Sequence, residues 1–342
     1  MRDFELQILE QYDIEVKCTR RIRGAFFCET NEGELLLKET NMSEKRADLL
    51  NALLHGLDRK GLSFVELPVR SKEGTWIVTS GMGERYILKH WVSGHECDIR
   101  KKSEILEATK QLACLHQIMQ WDISWGSEWP EAGRRLDQVW MQHNRELRKV
   151  RYFIRHKVQK GPFEYLFLES FEEMFSHALH AEKMLEQLDY PSLYEACVQR
   201  GDLIHGDYNY HNILYIGNAT EKGNGIQGVS DQSGIAITNF DHVSRDIQVL
   251  DLYYFLRKIM EKHNWDVNLG KQMLEAYEKV RPLSEQERRF LAVKIAYPEK
   301  FWKVANTYYC SNKAWIPEKN IEKLKRAVEQ SEKKMYFLNS VF

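Results

Sequence analysis

Apolar positions in the first ninety residues come in short runs cut by turn residues. Ala25–Thr30 and Glu34–Lys38 flank Asn31-Glu32-Gly33, and Thr75–Ser80 and Arg85–Val92 flank Gly81-Met82-Gly83. Short β-prone runs around such turns predict antiparallel hairpins. Between the two hairpins, Ser43–Arg59 carries Ala47, Leu50, Leu54 and Leu57 at helical spacing behind a capping serine, which predicts one helix. From Ser103 the period is helical nearly to the end of the chain. The apolar stripes predict helices over Glu104–Met119, Arg135–Lys157, Phe163–Leu188, Leu250–His263, Asn268–Val280, Ser284–Tyr309 and Pro317–Leu338. Lys160-Gly161-Pro162 separates the second and third of these, since both Gly and Pro oppose helix continuation. A short β interruption is expected over Leu203–Ile216 and Ile235–Phe240, joined through a glycine-rich, apolar-poor stretch from Gly217 to Gly234 that reads as a long mobile hairpin loop. The pattern therefore predicts an α+β chain: a small antiparallel-sheet lobe with one helix over residues 1–92, a connector near 90–100, and a large helical lobe over 93–342.

Composition narrows the class. The 342 residues carry 49 Lys and Arg against 50 Asp and Glu, a formal charge of −1. Such a balance argues against broad electrostatic capture of nucleic acid or anionic membrane. With 43% hydrophobic residues and only 7 Pro, the chain has the profile of a folded protein. No run approaches the roughly 18 apolar residues of a membrane span, and the first residues lack the apolar core of a secretory signal. Six cysteines, at 18, 28, 97, 114, 197 and 310, form no close pair, so reduced thiols in a cytoplasmic setting are expected.

The segment richest in chemistry is His205-Gly206-Asp207-Tyr208-Asn209-Tyr210-His211-Asn212, set between the apolar runs Leu203-Ile204 and Ile213-Leu214. An Asp followed five positions later by an Asn is what phosphoryl transfer requires: Asp207 to accept or orient a hydroxyl proton, Asn212 to offer a metal ligand. An Asx-rich turn accounts for each residue singly, but not for their combination with His-Gly and the flanking runs.

HGDYNYHNIL resembles the HGDxxxxNxL loop of the aminoglycoside phosphotransferase and choline kinase superfamily, relatives of protein kinases. Leu112-Ala113-Cys114-Leu115-His116 is similar to its LAxLH helix, and Asp251-Leu252 to the acid that opens the helix after its metal loop. FDHVSRDIQVLDLYYFLRK and YPEKFWKVANTYY resemble the spore-coat protein S family within it, including the coat protein I relatives. The resemblance implies a bilobal protein-kinase-like fold using ATP and Mg2+, and an association with the spore coat through the mother-cell cytoplasm. Lys38 would clamp phosphate, Gly24 would sit in the phosphate-covering hairpin, and the connector at Trp91 and Val92 would border the adenine. His205 and Asp251 would brace the site. Kinases pair that lysine with a helix acid; here Glu44 and Asp48 are the nearest substitutes. The superfamily's metal-chelating Asp falls at Asn239, in Thr238-Asn239-Phe240-Asp241, leaving Asp241 as the residue that could compensate.

Two readings follow. In one, the chain is an ATP- and Mg2+-dependent phosphotransferase acting on a small hydroxylated molecule, since the nine residues between Asp241 and Asp251 leave no room for a peptide-docking segment. In the other, it is a pseudokinase that serves as a structural or assembly component of the coat, with other coat proteins as partners. Trp121, Trp125 and Trp129, spaced every four residues, read as a core or pocket wall.

Overall fold

The computed structural model describes residues 3–22, 24–126, 128–217, 234–310 and 317–342. They group into two compact units, Met1–Glu131 with Arg200–Arg245, and Ala132–Gln199 with Asp246–Phe342.

The first unit begins with a helix, α1 (Asp3–Leu9), and strands β1 (Val16–Ile22), β2 (Ala25–Thr30) and β3 (Gly33–Glu39). Helix α2 (Glu44–Arg59) and strands β4 (Pro68–Val69), β5 (Ile77–Thr79) and β6 (Arg85–His90) follow. The predicted hairpins form an antiparallel sheet of order β1-β2-β3-β6-β4, with β5 also on β6. Register pairs Ala25 with Lys38, Phe27 with Leu36, Leu36 with Lys89 and Lys38 with Ile87. Since side chains alternate across a strand, Ala25, Phe27, Leu36, Lys38, Ile87 and Lys89 share one face. The opposite face, with Cys28, Leu35, Leu37, Tyr86 and Leu88, packs on Ile8, Leu9 and Tyr12. Two lysines thus project from the face that the α1 core does not cover. Ser43 caps α2, its hydroxyl accepting from the Arg46 amide at 3.2 Å.

The rest of this unit comprises β7 (His95–Glu96), α3 (Lys102–Ile118), β8 (Leu203–Ile204), β9 (Ile213–Ile216), β10 (Gly234–Ile237) and β11 (Ser244–Arg245). They pair as β10-β9-β7 and β11-β8. The loop expected between Gly217 and Gly234 falls on 218–233, outside the described residues. Trp121 and Trp125 meet edge to face at 5.6 Å, and Arg245 lies 5.2 Å above the Trp129 ring, so the tryptophans serve packing in this unit.

The second unit is helical: α4 (Leu136–His156), α5 (Pro162–Gln187), α6 (Tyr190–Arg200), α7 (Val249–Met260), α8 (Val267–Glu278), α9 (Glu285–Ala296), α10 (Glu299–Cys310), α11 (Pro317–Glu329) and α12 (Ser331–Val341). Gly161 caps α5 and Pro162 occupies its first position, as the break predicted there requires. Leu147, Phe163, Phe167, Phe171, Phe301 and Leu324 form the core joining α4, α5, α10 and α11. Two long predicted helices are divided. Ser284–Tyr309 breaks at Tyr297, whose extended backbone (ψ 136°) is what a following Pro298 demands. Pro317–Leu338 breaks at Gln330, where ψ falls to −7°. Helix α6, α1 and strand β1 were not predicted. Cys18, Cys28, Cys97, Cys114 and Cys197 are free thiols. Among the described residues no helix is long and apolar enough to cross a membrane.

Candidate functional site

Strand β8 delivers the chain into His205-Gly206-Asp207, a turn that only glycine can make. Gly206 has φ +79°, and a Cβ there would lie 2.4 Å from the His242 carbonyl oxygen. The buried His205 ring then serves both sides of the turn. Its Nδ1 accepts from the Asp207 amide at 3.2 Å and its Nε2 donates to the Thr238 carbonyl at 3.0 Å, an arrangement that specifies the neutral ring. His205 thereby ties the Asp207 loop to the segment after β10. Asp251 lies buried in the first turn of α7, in the second unit.

The Asp207 carboxylate is surrounded by amides. Oδ1 accepts from Asn209 Nδ2 at 2.9 Å, while Oδ2 accepts from Asn212 Nδ2 at 2.9 Å and Asn239 Nδ2 at 2.8 Å. Asn239 stands in the left-handed region (φ 70°, ψ 50°), which Asn tolerates better than most side chains. Its other amide atom, Oδ1, accepts from Lys38 Nζ at 2.7 Å. One amide therefore spans a cation and an anion.

A chain of alternating charge continues from there. Lys38 Nζ also meets Asp241 Oδ2 at 2.8 Å. Asp241 Oδ1 accepts from Lys89, whose ammonium reaches Glu66 Oε1 at 3.3 Å. Glu66 Oε1 in turn accepts from the Phe240 amide at 2.8 Å. Lys89 and Glu66 are 1% and 2% exposed, so neither charge has water to fall back on. Burial pushes the Lys89 ammonium down, but Glu66 and then Asp241 outweigh it and hold it above its ordinary value. Burial likewise opposes ionisation of Asp241, and Lys89 and Lys38 overcome it to keep the carboxyl well below the usual range. From α2, Arg46 donates to the carbonyls of Val243 and, at 3.4 Å, Asp241, pinning the same segment.

The residues singled out by sequence thus separate into groups. Lys38, Asp207, Asn212, Asn239 and Asp241 come together. Gly24, at φ +85°, makes the β1–β2 turn, and Trp91 packs with Ile22 on Ala25, Phe27 and Leu36. Trp91's amide donates to Glu34 at 2.9 Å, and Val92 follows it half-buried. Glu44 and Asp48 do not reach Lys38. Glu44 accepts from the Trp76 and Ile77 amides at 3.1 and 2.9 Å, and Asp48 from the Trp76 indole, so both acids serve the buried N–H groups at the start of β5. Sequence reasoning missed Lys89, Glu66 and Arg46. A signal existed for Lys89: it follows Ile87 by two, on the same face of the strand directly after the apolar run Tyr86-Ile87-Leu88, and a lysine buried at such a position requires a paired acid.

This donor set does not fit a magnesium ion. Magnesium is ordinarily held through one or two carboxylates plus phosphate oxygens. Here both Asp241 oxygens are engaged by lysines, and Asn239 offers Asp207 an N–H where a cation would have to sit. Among the described residues, no group of three or more His, Cys, Asp or Glu could hold a metal.

Comparison with known proteins agrees with the fold. Residues 238–341 match the family described as "Spore coat putative kinase YutH". Spore coat protein S of Bacillus subtilis (strain 168) is 22% identical over 335 residues, covering 96% of this chain and 89% of that protein. The structure of an aminoglycoside phosphotransferase from Alicyclobacillus acidocaldarius subsp. acidocaldarius DSM 446 superposes with a TM-score of 0.80 at 19% identity, covering 98% of this chain and 94% of that one. The AMP-bound spectinomycin phosphotransferase does so with a TM-score of 0.62 at 13% identity, covering 97% of each. The fold is that of the aminoglycoside phosphotransferases, and the chain is a homologue of spore coat protein S.

Proposed function

We propose that this homologue of spore coat protein S is a kinase-fold component of the coat that binds nucleotide and has given up magnesium-dependent phosphoryl transfer. The observation that carries this reading is the Asn239 amide, which bridges Lys38 and Asp207 at 2.7 and 2.8 Å. In a metal-dependent site, a carboxylate here and Asp207 would face each other across a cation. With the amide in place the two sides satisfy each other directly, and the cation becomes unnecessary for holding the site together. Phosphate binding then falls to Lys38, whose side chain is 35% exposed and is the cation of this network within a ligand's reach. Lys89, buried behind Asp241, keeps that carboxylate neutralised when Lys38 turns to a ligand. Nucleotides in the solved relatives support the ligand class: the spectinomycin enzyme was captured with AMP.

The retained Asp207 and Asn212 favour the second reading, a phosphotransferase with a small hydroxylated acceptor. One experiment separates the two. Thermal denaturation with ATP is run in EDTA and in Mg2+, alongside a measurement of ATP consumption with a panel of hydroxylated small molecules. The expected result is stabilisation of similar size in both buffers, about 2.7 kcal/mol at a hundred times the dissociation constant, lost in Lys38→Met, with no consumption above background. Consumption that requires Mg2+ and disappears in Asp207→Asn overturns the proposal.

A further inference from the structure

The second unit contains a cavity of about 40 Å3 bounded by α7, the α9–α10 turn, α11 and α12. Its wall carries three cations, Arg257, Lys300 and Lys334, against two carboxylates, Glu261 and Glu299. Lys294, itself buried, stands 3.9 Å from Glu299. Lys294 also faces Asp246, so the wall itself holds three cations against two acids. Glu261 is divided between Arg257 and Lys300, the latter at 3.4 Å. Lys334 gives its hydrogen bonds to main-chain carbonyls, those of Ala296 and Tyr297 at 3.1 and 3.2 Å. Arg257 is 8% exposed, and its Nε is buried with no partner.

A fold rarely leaves a buried guanidinium N–H unpaired in a wall whose cations outnumber its acids, because neither water nor an acid then repays its desolvation. Burial and then Arg257 push the Lys334 ammonium down to about 8. Lys258, next to Arg257 on α7, is lowered by burial, Arg257 and Lys303. Since one water needs about 10–15 Å3 of such space, the cavity has room for a tetrahedral oxyanion and not for a nucleotide.

We infer that this cavity is a binding site for a small tetrahedral oxyanion, of the phosphate or sulfate type, held by Arg257 Nε, Lys334 and Lys300. The anion would supply acceptors to the orphaned N–H and balance the excess of cations in the wall. None of these residues belongs to the nucleotide site, so the inference stands apart from the function proposed above.

The test is calorimetric and thermal titration of the full chain with inorganic phosphate, sulfate and chloride at constant ionic strength. Phosphate or sulfate should bind with saturation near one equivalent and raise Tm, whereas chloride should not. Lys334→Met should lose the saturable response and Lys38→Met should keep it; a response to phosphate alone or to both oxyanions identifies which sources the site accepts. If Lys334→Met does not fold, Lys300→Met at the cavity rim is read instead, with affinity expected to drop at least tenfold. The absence of saturable binding in the wild type overturns the inference. So does a response that survives the cavity substitution and vanishes in Lys38→Met.

Discussion

Replacing Asn239 by Asp tests the bridge at the centre of the site. In the native arrangement Nδ2 donates to Asp207 at 2.8 Å and Oδ1 accepts from Lys38 at 2.7 Å. The substitution keeps the Lys38 contact and turns it into an ion pair. It also puts a carboxylate oxygen against Asp207. At an effective dielectric of 20, like charges 2.8 Å apart repel by about 6 kcal/mol and the new pair with Lys38 gains about the same. Both effects are screened alike, since the site is partly open, and they nearly cancel. What is left is the lost hydrogen bond to a charged acceptor, about 1.5–3 kcal/mol. Asn239→Asp should therefore lower stability by about 2 kcal/mol in EDTA, a shift of a few degrees in Tm. Two facing carboxylates also create the divalent-cation site that the amide precludes. Millimolar Mg2+ or Mn2+ should restore the variant's Tm while leaving the wild type unmoved. Denaturation scans of both proteins over a metal titration decide the matter. A wild type that responds to Mg2+ as strongly as the variant, or a variant indifferent to metal, refutes the reasoning.

Two further outcomes are expected. Lys89→Met leaves Asp241 and Glu66 buried without their shared cation, and removing one partner of a buried ion pair costs about 3–5 kcal/mol; urea unfolding should show a loss of that order, and a loss below about 1 kcal/mol would mean that the network is not stabilised by Lys89. Asp246, in the second unit, is pushed up to about 7 by burial, with Asp251 adding and Lys294 opposing. A carboxyl raised in the fold contributes stability that is complete below its unfolded value of about 3.9 and is lost as pH rises through 7. Relative to Asp246→Asn, the wild type should lose on the order of 4 kcal/mol between pH 4 and 8; parallel pH profiles for the two proteins would contradict the assignment.

Much of the fold could be read from the chain because its cues are local. Turn glycines delimit the β2–β3 and β5–β6 hairpins, Ser43 caps α2, and Gly161-Pro162 starts α5. The misread boundaries at Tyr297 and Gln330 lie inside stripes whose apolar period barely changes, so periodicity alone could not find them. Strand β1 carries Lys17, Thr19 and the adjacent Arg20 and Arg21 among few apolar residues, and its place in the sheet comes from pairing with β2 rather than from its own composition.

The candidate site divides along the same line. Spacing along the chain was enough to select Asp207 and Asn212, because one loop carries both, and to mark Asn239 as an amide where a carboxylate is expected. It could not tell what that amide does, since Lys38 lies 201 positions away and the bond between them exists only once sheet and loop are packed together. Nor could it assign Asp241. Two residues from Asn239, it looked free to take over a metal's charge, yet folding presents it to Lys38 and Lys89 at once. Residue types determine which chemistry is available locally. Which charges neutralise one another is a property of through-space distance and burial, and only the tertiary structure decides those.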